Sequence, residues 1–331
     1  MTRGITEGLT EIPEKKDDGR ALTTPNGFLT LYKPAGYTSH DVVAVLRRRL
    51  PRKSKVGHTG TLDPQAVGVL PVCLGKATRL AEYFNTLPKV YVGELMLGST
   101  TSTYDKWGEV VAEAAPQDVA AVTDEKFRAV LPHFTGHIVQ QPPMVSAIKI
   151  GGKKLYQLAR EGKEIERPGR DVHIYQLNVL ELDLPRAVLE VKCSSGTYIR
   201  SLFHDIGAML GVGAHMTMLE RKAVGCFDAA NAVSLKDAEA MLAAGDFSAV
   251  LPPEQGIAHL PRIDLQDKRD FDNALHGREI VLGLSEAEAP VCSVFYEGQL
   301  VGIGETNYEA QGCACNEHLL LRMNKVLYVA E

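Results

Sequence analysis

Residues 56–64 read Val56-Gly57-His58-Thr59-Gly60-Thr61-Leu62-Asp63-Pro64, with neither the 3.6-residue period of a helix nor the alternation of a strand. Two glycines let the backbone approach a ligand closely or take positive φ. Pro64 fixes its own φ and pushes Asp63 towards an extended conformation. The segment therefore holds a carboxylate in place beside an imidazole, and whatever flanks it must be built around that loop. A plain turn with Asp63 as a local hydrogen-bond acceptor uses the same residues. The choice between turn and reactive site rests on the remainder of the chain.

At 331 residues the chain is long enough for two domains, or for one large domain with an appendage. No apolar run reaches the roughly 18 residues of a membrane span, and the N-terminus lacks the basic-then-apolar pattern of a secretory signal. The expectation is a cytoplasmic protein without membrane contact. The six cysteines are scattered, without C-x-x-C spacing, and read as reduced thiols. Cys313-Ala314-Cys315 is too solitary for a four-ligand zinc site, so no metal is expected. Net charge is −5, yet Arg47, Arg48, Arg49, Arg52, Lys53 and Lys55 place six cations in nine residues immediately before the loop. Local charge matters more than the total because phosphate contacts act within a Debye length of roughly 8–10 Å. A solvated basic face and a polyanionic substrate both fit that run, and its neighbour favours the substrate.

Residues 1–26 carry charge, Thr, Gly and Pro without period and read as a disordered leader. A strand is expected over 27–32, a turn at Lys33-Pro34-Ala35-Gly36, then a helix capped by Thr38 or Ser39 that buries Val42, Val43, Val45 and Leu46. Lys76–Phe84 reads as an amphipathic helix, Lys89–Leu97 as a strand, and Gly98–Gly108, with its Ser, Thr and Asp105, as a surface loop. Gly75-Lys76 is not a P-loop, since the glycine required five residues earlier is Leu70. Strands are expected at about 171–183, 187–194 and 214–227, and helices at about 123–132, 199–210 and 234–244. Arg200 in a first helical turn opposes the macrodipole, which calls for a nearby anion; Asp63 is a candidate. Beyond 250 the pattern becomes β-rich, with a turn at Glu297-Gly298.

Taken together, Lys33-Pro34, the block Gly57–Pro64, Leu74-Gly75-Lys76-Ala77-Thr78-Arg79-Leu80, the segment Pro142–Arg160 and Cys193-Ser194-Ser195-Gly196-Thr197-Tyr198-Ile199-Arg200 resemble the motifs of the TruB family of tRNA pseudouridine synthases, bacterial type, in order and at similar separations. The resemblance covers most of 27–225. It implies an α+β (mixed α/β) catalytic domain on a central, mostly antiparallel sheet over 27–249, with a thumb-like insert at about 139–168 and a small β-rich, PUA-like RNA-binding domain over 250–331. The implied activity is isomerisation of uridine 55 in the TΨC loop of tRNA to pseudouridine on a flipped-out base. It would use no cofactor and no guide RNA, and the enzyme would be a monomer whose partner is the tRNA T-arm.

By the same resemblance Asp63 is the nucleophile, Arg200 its cationic partner, and Tyr91 the ring stacked on the extruded uracil. His58, Tyr198 and Leu219 would contact substrate, and Lys33 would support the wall of the site. A carboxylate suits the chemistry, because the glycosidic bond must break and re-form at C5; attack at C6 of the base and at C1′ of the ribose both remain open. Three competing readings are a non-catalytic RNA-binding protein, a guide-RNA-dependent synthase subunit and a nucleotide-using metabolic enzyme. Asp63, Tyr91 and Arg200 together argue against the first, the insert against the second and the failed P-loop against the third.

Overall fold

The computed structural model describes residues 24–146, 149–150, 153–154, 165, 167–283, 290–310 and 317–328. All but the last three residues of the expected leader, much of the thumb-like insert and the Cys313/Cys315 pair lie outside them. β1 (Gly27–Lys33) is an apolar run buried almost throughout. Thr38 caps α1 (Ser39–Arg47) in a reciprocal box with Asp41; Val42, Val43 and Leu46 turn inward, Val45 only partly, and Arg47 lies in the last turn where it suits the dipole.

Residues 56–64 are less irregular than their pattern implied. They begin as a short strand, β2 (Val56–His58), antiparallel to β3 (Val67–Leu74). Three residues are too few for alternation to be read. The stretch expected as a helix after β3 is a 3₁₀ helix, Gly75–Thr86, which buries Ala77, Leu80 and Phe84. β4 (Lys89–Leu97) alternates regularly between buried and half-buried positions. The segment expected as a surface loop, 98–108, leaves Ser102, Lys106 and Trp107 exposed but begins as a strand and buries Thr101. Ser99–Thr101 pairs with Val110–Glu113, and Thr101 and Thr103 hydroxyls donate to the Asp105 carbonyl and carboxylate. Its polar residues satisfy one another, and composition alone cannot tell that from solvation.

α2 (Asp124–Val130), β5 (Gly136–Gln140), β6 (Arg170–Asp183), β7 (Arg186–Cys193), α3 (Ile199–Met209) and β8 (Ala214–Val224) complete the larger layer. Among the described residues the sheet has eleven strands. Its main path runs Val233–Ser234, β1, β3, β8, β4, β7, β6, β5. Only the Val233–Ser234 and β3–β8 pairings are parallel, so the sheet is mostly antiparallel, as expected. β8 and β4 lie at its centre, with Leu219 opposite Gly93 and Arg221 opposite Tyr91. α3 packs Leu202, Phe203 and Ile206 onto this centre, and α4 (Leu235–Ala244) covers the β1 end.

Val250–Leu251 pairs with β1. A second sheet then draws on β9 (Arg262–Leu265), β10 (Ile280–Leu282), β11 (Val291–Tyr296), β12 (Gln299–Ala310) and β13 (Glu317–Val326), in the order β9-β11-β12-β13-β10, with α5 (Lys268–Leu275) against it. Glu297 and Gly298 both take positive φ (49° and 79°), the two-residue hairpin geometry that matches strand twist. Ile303 and Leu327 join Phe28, Phe84 and Phe227 in one apolar cluster, and the Arg79 guanidinium donates to Val326 O at 2.7 Å, so the two sheets share a packed seam. Among the described residues no helix is long and apolar enough to cross a membrane.

Candidate active site

After β2 the chain passes over the centre of the sheet and presents Asp63. Lys33, at the end of β1, is fully buried; its ammonium donates to Pro34 O (2.9 Å), Tyr37 O (2.7 Å) and Pro64 O (3.0 Å). Three carbonyls on one cation tie the β1 turn to the peptide just after Asp63. Burial lowers the Lys33 pKa to about 8, against the raising effect of Asp63. Ser39 adds a second tie, accepting from Leu62 N at 3.0 Å.

α3 begins at Tyr198 without a side-chain cap of its own. Gln140 of β5 supplies one: its Oε1 accepts from Tyr198 N (2.7 Å) and its Nε2 donates to Tyr198 O (3.0 Å). The first turn thus fixed carries Arg200, which is only 3% exposed. Its Nε meets Asp63 Oδ2 at 2.9 Å and its Nη2 meets Oδ1 at 3.2 Å, a two-point pair. Nη2 also donates to Val145 O (2.9 Å) and Nη1 to Thr103 O (2.9 Å), with Asp105 Oδ2 3.6 Å from Nη1. The anion that an arginine at a helix N-terminus requires is therefore Asp63, with Asp105 behind it. The Asp63 side chain itself is 40% exposed. A buried cation presenting an accessible carboxylate is an arrangement for attack on something arriving from outside.

Two cavities meet at this pair. One, of about 270 Å³, is lined by Asp63, Asp105, Trp107, Arg200, Met216 and Leu219 among others. The second, of about 250 Å³, has Asp63, Lys89, Tyr91, Tyr198, Arg200, Leu219 and Arg221 in its wall. A larger cavity of about 750 Å³ lies elsewhere, between Leu97 and Pro185; its lining has one charged side chain, Glu113, and none of the groups above. Size alone would have pointed to the wrong place.

Of the residues singled out from sequence, Asp63, Tyr91, Tyr198, Arg200 and Leu219 come together around the second cavity. Lys33 lies behind it, bonded to Pro64 O. His58 lines neither cavity at Asp63. Its Nδ1 accepts from Gly60 N at 3.3 Å and its ring meets His40 edge-on at 5.3 Å. Burial, then His40 and Arg221, push its pKa down to about 4, so it is neutral at physiological pH. Tyr91 is buried, which raises the pKa of its phenol, with the charge of Arg221 acting in the opposite direction.

Sequence reading missed Arg221, Lys89 and Asp105 as site groups. The first two had a signal. Leu219 and Arg221, like Lys89 and Tyr91, are two residues apart on a strand and so share a face. Asp105 had none, since its partner in the sheet, Met216, is far off in sequence.

Comparison with known proteins places this geometry among relatives. Residues 47–199 match the family model described as TruB family pseudouridylate synthase (N terminal domain), and residues 200–254 match tRNA pseudouridylate synthase B C-terminal domain. The tRNA pseudouridine synthase B of Listeria welshimeri is 43% identical over 84% of this chain and 92% of its own, and that of Symbiobacterium thermophilum 48% over 78% and 84%. Among solved structures, an H/ACA RNP bound to a substrate RNA containing 2′-deoxyuridine aligns with TM-score 0.68 at 27% identity, covering 92% of this chain and 85% of that one.

Proposed function

The chain belongs to the TruB family of pseudouridylate synthases, and from that premise we propose that it isomerises a uridine of tRNA, position 55 of the TΨC loop, at the Asp63 site. The observation that carries this is the accessible Asp63 carboxylate held at two points by a buried Arg200 on the wall shared by two cavities. A base inside a folded RNA has to leave its stack before Asp63 can reach it, at a cost of a few kcal/mol. Stacking on an aromatic ring returns roughly 1–3 kcal/mol per base, and Tyr91, beside Leu219 and Tyr198, is the ring placed to supply it. Asp63 attacks as the nucleophile and bonds to the substrate; the N1–C1′ bond breaks with its electron pair on uracil, the base turns, C5 bonds to C1′, the bond to Asp63 breaks with its pair returning to the carboxylate, and the proton lost from C5 is balanced by one gained at N1. Arg200 holds the carboxylate at two points and fixes its orientation towards the incoming base.

The enzyme works on tRNA without a guide RNA. Supporting this, the relatives at 43% and 48% identity are named for tRNA, whereas the H/ACA neighbour stands at 27%. Further expectations are a monomer in the cytoplasm, no cofactor, and a β-rich C-terminal unit that helps to hold the RNA. The test is release of tritium from a tRNA transcript labelled at uridine C5, with wild type beside Asp63→Asn. About one equivalent released by wild type alone supports the reading. Release by the variant removes Asp63 from its role, and tight tRNA binding without release by wild type would favour a binding protein.

A further inference from the structure

The second cavity has an excess of positive charge that the Asp63–Arg200 pair does not explain. Three cations, Lys89, Arg200 and Arg221, and one carboxylate, Asp63, line it. Arg221 is 1% exposed and Lys89 6%. Arg221 donates from Nε to Val69 O (2.7 Å) and from Nη2 to Gly60 O (3.1 Å), and it lies opposite Tyr91 in the strand register. Lys89 donates to Leu87 O at 3.2 Å. Among the described residues neither forms a salt bridge. Buried cations are ordinarily paired, because carbonyl dipoles offset only part of the desolvation cost. The register explains how two of them meet here: Arg221 lies opposite Tyr91 on the central strands, and Lys89 lies two residues before Tyr91 on the same face.

We propose that Lys89 and Arg221 form a dedicated charge-stabilising pair for the detached uracil, binding its carbonyl oxygens while the base carries the electron pair of the broken N1–C1′ bond. The inference rests on the isomerase reading and adds residues to it. When that bond breaks, the negative charge spreads from N1 over O2 and O4; it is discharged when C5 bonds to C1′, and the proton then lost from C5 is balanced by one gained at N1. Donors fixed beforehand in a water-poor pocket act where charge develops, at no reorganisation cost. Arg200 is not free for this task, since its nitrogens are committed to Asp63, Thr103, Val145 and Asp105. Among the described residues Arg221 and Lys89 have no carboxylate to hold, and the cavity they face is the one that also carries Tyr91, the proposed stacking ring. Tyr91 thus holds the plane of the base and the two cations hold its edge.

Burial, with Arg221 next in effect, lowers the Lys89 pKa to about 8. The charged and titratable groups that face it are Arg221 on β8, Cys193 on β7, Tyr91 on its own strand, and Asp63 and Arg200 across the cavity. As pH rises through 8 the free enzyme loses this cation, so kcat/KM, which reports free-enzyme groups, acquires an alkaline limb. The experiment is pseudouridine formation on tRNA between pH 6.5 and 9 with wild type, Lys89→Gln and Lys89→Arg, each checked by thermal melting. Lys89→Gln is expected to lower the single-turnover rate about 100-fold at pH 7, with tRNA Kd within threefold, and to lack the limb. Lys89→Arg, charged at every pH, is expected to recover most of the rate, also without the limb.

A Lys89→Gln rate within threefold of wild type overturns the proposal. So does a limb that persists in Lys89→Arg, which would assign it to Lys33, the other buried lysine with a pKa of about 8. Wild-type protein that forms no pseudouridine at all instead overturns the isomerase reading on which the proposal stands.

Discussion

The two sheets bury very different things. Among the described residues, the charged side chains that are buried are Lys33, Lys89, Arg200 and Arg221, all cations and all on the larger sheet or the helix packed on its centre. The core of the second sheet is Ile263, Leu265, Phe271, Val294, Val301, Leu319, Leu321 and similar residues, with Ser293 and Thr306 its buried polar side chains. A hydrophobic core is sufficient to hold a small sheet together. Four buried cations are not needed for that purpose, and each carries a desolvation cost. On the function proposed above, what differs is what the burial is for: packing in the second sheet and, in the first, an electrostatic site whose frame Lys33 ties together. Substitutions in the one should register as stability and in the other as rate.

The largest effect belongs to Asp63. Asp63→Asn keeps the shape but removes the proposed nucleophile, so turnover should fall by more than about 10⁴-fold while tRNA affinity stays within roughly tenfold, because the groups that contact phosphate are distinct from those that react. Tritium release paired with a binding isotherm measures both; a parallel loss of affinity would blur the contrast between the sheets. Arg200 comes next. Arg200→Gln leaves Asp63 and Asp105 facing one another without their common cation, and the rate should drop about 10²–10³-fold, on the scale of a lost preorganised electrostatic partner. Arg200→Lys should recover only part of this, since a point charge cannot reproduce the two-point pair or the bonds to Thr103 and Val145.

In the second sheet, Leu321→Ala deletes a fully buried side chain between β10 and β12. Unfolding free energy should fall by about 2–5 kcal/mol, read from denaturant titration, with turnover unchanged at a temperature where the variant is folded. A fall in rate at that temperature would mean that the seam through Ile303 and Leu327 transmits strain to the site, and the division between packing and chemistry would fail.

Which parts could be read from sequence follows from the range of the interactions. The start of α1, the alternation of β4 and the Glu297-Gly298 hairpin are set by neighbours in sequence, and they lie where pattern and turn chemistry put them. Asp63 was conspicuous because a glycine-rich, proline-stopped loop around a carboxylate is itself a local feature. Asp105 was read as solvated. Its environment comes from Arg200 and from Met216, about a hundred residues away, and local composition carries no trace of either. The Lys89–Arg221 juxtaposition likewise depends on β4 and β8 being neighbours in the sheet, which no periodicity reports. His58, which the motif singles out as a contact for the RNA, has the His40 ring of α1 as its neighbour within the protein.

That histidine supplies a smaller, pH-dependent test. Its folded pKa, about 4, is below the ordinary value of 6.5, so the unfolded chain takes up a proton in a range where the folded one does not. Stability from this group is therefore complete above about pH 6.5 and is lost as pH falls from there towards 4. Allowing for the solvent that still reaches the ring, the loss should be about 2 kcal/mol. His58→Asn should flatten the curve of unfolding free energy between pH 7 and 4.5, and an unaltered slope would assign the acid sensitivity to other groups.

The smallest effect concerns the basic run before the loop, where the six cations prove unequal. Arg47 donates to Val56 O at 3.0 Å and Arg49 pairs with Glu239 at 2.5 Å, so both serve the packing of α1 against β2 and α4. Arg52, Lys53 and Lys55 are exposed. If they meet phosphates, each contact releases counterions and contributes about 0.7–0.9 to the slope of log affinity against log salt. Arg52→Gln with Lys55→Gln should then reduce that slope by about 1.5 and leave the melting temperature unchanged, whereas Arg49→Gln should lower the melting temperature and barely move the slope. Equal slopes for all variants would make the run a solvated face, and the division between structural and RNA-directed charge would then apply to the buried cations alone.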